Sequence, residues 1–242
     1  HVPAAVEPAV PPGRVADSLA TAATGLDVGW RYETVRVFAV GGPIEGGRTI
    51  THELWVNANA TLNRSATVGE QYPPSPPRTN PWLHQYLHTR QRWLTNGSIE
   101  PEARWLTEAI PTYYQVAETA RQGKLDGCNA TAYWHELNRT LHRGPGTVRL
   151  SKPVTYRQVD GDYTQGAYVL AALDTRLAQR HPGSRSLEAV WRRLNQDPNV
   201  TAERLEEAIV ATGGGGMEQW LERYVNGTEI PAPPPLGLRC EG

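Results

Sequence analysis

Two kinds of hydrophobic pattern run along the chain, and the change from one to the other divides it. Trp30 to Val40 is rich in β-branched and aromatic residues and alternates at its start, which predicts a strand. Gly41 to Gly47 reads as a turn, and Arg48 to Asn57 alternates again and is expected to return antiparallel. Residues 59–81 are polar and end in a proline-rich run, expected to form a loop over the approach to a site. From Pro81 onward apolar residues recur at helical spacing. Asn80 is placed to cap a helix whose first residue is Pro81; Asn96-Gly97 should end it, and Pro101 should open the next. Pro111 should kink that second helix or cost it a hydrogen bond. Further helices are predicted over 15–25, over 131–142, after Tyr163, over 187–194 and over 202–211, with Gly213 to Gly216 a joint before the last one. Strands first and helices afterwards predict an α+β domain with its cleft between the two parts. The expected divisions are a proline-rich tether over 1–14, one domain over 15–235 and a tail over 236–242. Within the domain the sheet occupies about 28–62 and the helical lobe about 81–230.

The chemistry sits on the first helix of the lobe. His84 and His88 are four apart, so both imidazoles project from one helical face a turn apart and can chelate one metal ion. The zincin motif of metallopeptidases is His-Glu-x-x-His, and here Gln85 stands where the general-base glutamate belongs. Glu108 lies twenty positions after His88, on the next predicted helix. Two imidazoles and a carboxylate fill three corners of a tetrahedron and leave the fourth for water, the layout of a catalytic zinc site. Taken singly, each residue has an ordinary reading: a chance histidine pair, a solvated helix carboxylate, and, at Tyr163, an aromatic packed at a helix start.

Three ordered segments strengthen the other reading. Trp105-Leu106-Thr107-Glu108-Ala109 resembles the third-ligand segment of the glutamate-zincin peptidases. Asp162-Tyr163-Thr164-Gln165-Gly166-Ala167 through Leu173-Asp174 resembles a helix of the glycyl aminopeptidase-like family. Trp220 to Pro231 resembles the segment that closes that family's catalytic domain. The resemblance spans roughly residues 30 to 235. It implies a zincin-like (thermolysin-like) catalytic domain, an N-terminal antiparallel sheet followed by a mainly helical lobe. It also implies zinc on His84, His88 and Glu108, peptide or protein substrates, and Tyr163 donating a hydrogen bond to the oxyanion. The chain departs from the family at three places. It shows no clear Gly-Gly-Leu-Glu-His segment, Thr112 stands where thermolysin-like relatives carry an aspartate behind a ligand, and Gln85 replaces the base. An amide cannot accept and return a proton at neutral pH, and such catalysis contributes on the order of 10²–10⁴-fold. The chain is therefore expected to bind zinc and peptide but turn over slowly. It is either an inactivated version of a working peptidase or a natural pseudopeptidase that keeps zinc as a binding or structural module. Residues 50–62 are the expected edge strand for a substrate backbone. His52, His135, His142 and His181 are expected away from the metal, and Asp160 and Asp162 either line the cleft or cap a loop.

Composition narrows the setting. The 242 residues carry a net charge of −1 with no block of like charge, so a nucleic-acid surface is not expected. No apolar run approaches the roughly 18 residues of a membrane span. Asn59, Asn63, Asn96, Asn129, Asn138, Asn199 and Asn226 each begin an Asn-x-Ser/Thr triplet. Seven acceptor triplets imply an exported chain with N-linked glycans at some of them. In that setting Cys128 and Cys240 suggest one disulfide, with two free thiols as the alternative. An extracellular or cell-surface ectodomain or mature enzyme is expected, touching a membrane only through a removed anchor. A glycan-binding surface is a third reading and rests on tryptophans alone.

Overall fold

Arg36–Val40 forms the first strand (β1), and the stretch from 47 to 57 forms not one strand but two, Gly47–Ile50 (β2) and Glu53–Asn57 (β3). The computed structural model describes residues 7–42, 44, 47–62, 80–125, 127–180 and 186–233. β2 does run opposite to β1, as the alternation predicts, but a two-residue turn at Thr51-His52 sends the chain back. β3 then inserts between them, giving the order β1-β3-β2. β3 pairs parallel with β1, Arg36 opposite Glu53, and antiparallel with β2, Ile50 opposite Glu53. The expected antiparallel sheet is thus a mixed one. Thr51 holds φ at 52°, an uncommon conformation for a β-branched residue, and no Gly or Asn marked the turn.

The tether is shorter than expected. Helix α1 starts at Pro12 and runs to Gly25, and Val10 is already buried in the core. The chain joins the sheet at the Ala9 amide, which donates to the Ala58 carbonyl at 2.8 Å. Residues 1–6, most of the expected 59–81 loop and the 236–242 tail lie outside the described residues.

Helix α2 (Pro81–His88) begins as predicted: the Asn80 side chain accepts from the Leu83 amide, and Pro81 is the first residue. It ends sooner than predicted, because the Thr89 and Arg90 amides bond back to Tyr86 and Leu87 and tighten the last turn. A separate short helix, α3 (Trp93–Asn96), occupies the rest, followed by β4 (Ser98–Ile99). Buried Arg90 fixes the end of α2 by donating to the carbonyls of Trp30 and Leu26 and to the Tyr86 hydroxyl. The Asn195 side chain donates to the carbonyls of Val28 and Arg90, tying the helical lobe to the same corner.

Residues 101–105 form turns, and α4 runs from Leu106 to Arg121 with Pro111 inside it. Then come α5 (Gly127–Arg143), α6 (Pro153–Tyr156), a π-helical turn over Asp162–Gly166 and α7 (Ala167–Arg180). Next are α8 (Ser186–Leu194), β5 (Asn199–Val200, parallel to β4), α9 (Ala202–Gly213), α10 (Met217–Leu221) and a second π-helical turn over Glu222–Asn226. The architecture is α+β. No helix among the described residues is long and apolar enough to cross a membrane.

Tryptophan fills much of the core: Trp93, Trp105, Trp134 and Trp191 are fully buried, and none of the eight is exposed. The glycan-binding reading therefore loses its only support. Asn138 is also buried, donating from Nδ2 to the Tyr168 hydroxyl at 2.7 Å and the Pro231 carbonyl at 3.3 Å. A glycan on that nitrogen replaces one of its two hydrogens, so at least one of these bonds would be lost. Asn59, Asn96, Asn129, Asn199 and Asn226 are exposed, whereas Asn63 lies outside the described residues, as do Cys240 and the Cys128 side chain. We expect Asn138→Ala to lower stability by about 1–3 kcal/mol in urea denaturation, since it removes two buried hydrogen bonds and leaves the Tyr168 hydroxyl and the Pro231 carbonyl only each other.

Candidate metal centre

The short α2 helix presents His84 and His88 from the face that meets α4, and Glu108 lies in the first turn of α4. Glu108 Oε2 lies 3.3 Å from His84 Nε2 and 3.3 Å from His88 Nε2. Donors about 2.0–2.1 Å from a tetrahedral ion sit about 3.3 Å from one another, so both spacings match edges of such a tetrahedron. The three donor atoms lie within 4.8 Å of each other, and among the described residues no further His, Cys, Asp or Glu joins them. Apart from the two imidazoles, Glu108 Oε2 is buried without a hydrogen-bond partner, as expected of a ligand atom. The site can hold a metal ion.

Electrostatics favours the ligand forms. Burial pushes His84 below the usual imidazole value; the interaction with Glu108 opposes the shift without cancelling it, and the charge of His88 adds to it. Burial alone would raise Glu108, but His88 and His84 outweigh it and hold the carboxylate well below its usual range. Neutral imidazole and ionised carboxylate are the forms that coordinate metal.

Tyr163 reaches the same place from the π-helical turn. Its ring lies 6.0 Å from that of His84 and nearly parallel to it, and its hydroxyl is near enough to Glu108 for that carboxylate to act on it. Burial, then the Glu108 charge, raises its pKa far above the ordinary phenol value, so it stays a donor. The glycine of this segment has a steric reason: a Cβ on Gly166 would meet the Ala109 Cβ at 2.9 Å, so only glycine lets the turn approach α4 so closely. Neighbouring Asp162 accepts from the Tyr163 amide and is raised to about 6 by burial, with Glu108 contributing.

Gln85 faces β2. Thr49 Oγ1 lies 2.8 Å from both the main-chain oxygen and Oε1 of Gln85, one hydroxyl serving two acceptors. A Cβ on Gly47 would come within 2.8 Å of Gln85 Cγ. β2 is thus the strand beside the site, and among the described residues no strand pairs with its outer edge. The expected edge strand at 50–62 is corrected to Gly47–Ile50, because β3 within that range is central. Gly47, Thr49, Gln85, His88, Glu108 and Tyr163 line a cleft of about 270 Å³. A larger cleft of about 910 Å³ contains none of these residues.

No protein-family model matches the chain, and no curated protein matches it. Geometry alone defines the site.

Three supporting residues went unread in the sequence: Thr49 on β2, Gln115, whose side chain hydrogen-bonds His84, and Gln91 behind His88. Thr112 does not stand in for the missing aspartate; its hydroxyl is buried and unpartnered. His52 packs against Tyr32, and His135 and His142 are exposed, so none joins the triad. His181 lies outside the described residues. Asp160 is exposed.

Proposed function

We propose that this chain is the catalytic domain of a zinc-dependent peptidase of the glutamate-zincin type, in which Gln85 disables the acid–base step. The observation that carries the reading is the three-ligand group with no fourth protein ligand among the described residues, the arrangement of catalytic rather than structural sites. Two imidazoles and a carboxylate at tetrahedral spacing suit zinc. Zinc bound there lowers the pKa of water and polarises the scissile carbonyl.

The chain's own residues supply the rest. Tyr163, held protonated, donates to the oxygen on which charge develops. The free edge of β2 receives an extended peptide by strand addition. Gln85 orients water through its amide but cannot take its proton. The exposed acceptor triplets support an exported, glycosylated chain. One observation favours a non-catalytic pseudopeptidase instead: Gln85 is bonded into its surroundings through Thr49.

The test is a peptide library incubated with zinc-loaded protein and read by mass spectrometry. Slow, chelator-sensitive cleavage that vanishes in Glu108→Gln is the expected result. Silence of both the unsubstituted protein and a Gln85→Glu variant contradicts the peptidase reading.

A further inference from the structure

Pro111 sits inside α4 with no N–H, so the Thr107 carbonyl four residues earlier lacks its helical donor. The carbonyl is not left empty. Gln91, fully buried just after α2, donates from Nε2 to Thr107 O at 3.1 Å and to Leu106 O at 3.3 Å. Two carbonyls on one side decide which end of the amide faces them, because only the NH₂ group can donate. Gln91 Oε1 is thereby turned the other way, and it lies 3.4 Å from His88 Nδ1. An acceptor at that point requires a proton on Nδ1. That tautomer leaves the Nε2 lone pair free, and Nε2 is the atom directed at Glu108.

We propose that Pro111, by freeing the Thr107 carbonyl, orients Gln91 and through it sets the tautomer and ring position of His88. Pro111 and Gln91 are then positioning residues for metal affinity. The inference rests on the triad being a metal site. A helix-breaking residue in the middle of α4 acquires a purpose: it frees a main-chain acceptor that holds the Gln91 amide. The effect is opposite to that of a proline kept only for packing, since its removal should favour the helix and harm the site.

The experiment compares the unsubstituted protein, Gln91→Met and Pro111→Ala by zinc titration against a chromophoric chelator. It adds urea denaturation of the metal-free proteins and the visible spectrum of the cobalt-loaded ones. Gln91→Met is expected to lose about 10–100-fold in zinc affinity and to alter the cobalt spectrum. Pro111→Ala is expected to lose about 10-fold while its urea midpoint stays at or above that of the unsubstituted protein. Pro111→Ala carries the test if Gln91→Met folds poorly. Unchanged affinity and spectrum in folded variants overturn the inference while leaving the metal site intact. An unsubstituted protein that binds no zinc overturns the site itself.

Discussion

Replacing Gln85 by glutamate is expected to raise zinc-dependent peptide cleavage by about 10²–10⁴-fold, the usual contribution of a positioned acid–base group. The substitution changes one atom type and no volume, so the close contact with β2 across Gly47 survives. Thr49 can turn its single hydrogen to the new carboxylate, which keeps the side chain where Gln85 now lies. Tyr163 and the triad are untouched. The measurement is initial rates on a quenched-fluorescent peptide mixture, with and without chelator. A variant that holds zinc and remains silent would identify a pseudopeptidase, because every other part of the proposed machinery would be in place and idle.

Losing a ligand is expected to have the other large effect. Glu108→Gln removes the anionic charge of one of three donors and His84→Ala removes a donor outright, and zinc affinity should fall by orders of magnitude, read by chelator competition. The bound ion also stabilises the fold by mass action, about 2.7 kcal/mol at a free concentration one hundred times Kd, so the shift in melting temperature on adding zinc should vanish with the ligand. Acid should act in the same direction. Protons compete with metal for neutral imidazole, and His84 is shifted below the ordinary value by burial. Zinc release should therefore have its midpoint below the ordinary histidine pKa of about 6.5. The metal-free protein should lose stability as pH falls through that same value, because the unfolded chain takes a proton that buried His84 resists. Release centred above pH 6.5 would contradict the burial argument.

Local signals were legible and distant ones were not. Asn80-Pro81 and the spacing of His84 and His88 act within one helix, so start and shared face could be read directly. Glu108 and Tyr163 needed a resemblance to be singled out, and the structure places both at the histidine pair. The sheet departs from expectation at two points: the first strand forms only over Arg36–Val40 and not from Trp30, and Thr51-His52 turns the chain without a turn-forming residue, so the alternation runs unbroken across a real turn. The end of α2 was hidden because Trp93 and Leu94 continue its apolar pattern. Gln91, Gln115 and Thr49 act across elements, and polar residues of that kind leave no periodic trace. Asn138 carries an acceptor triplet, yet its fate is decided by Tyr168 and Pro231, 30 and 93 positions away.

The most direct measurement is zinc X-ray absorption on protein loaded with one equivalent of metal. The proposed site requires a four-coordinate ion with two imidazoles, a carboxylate oxygen and one light solvent donor, at about 2.0–2.1 Å. Each of His84→Ala, His88→Ala and Glu108→Gln should abolish that signature. A coordination shell without imidazole, or one that persists through those three substitutions, would contradict it.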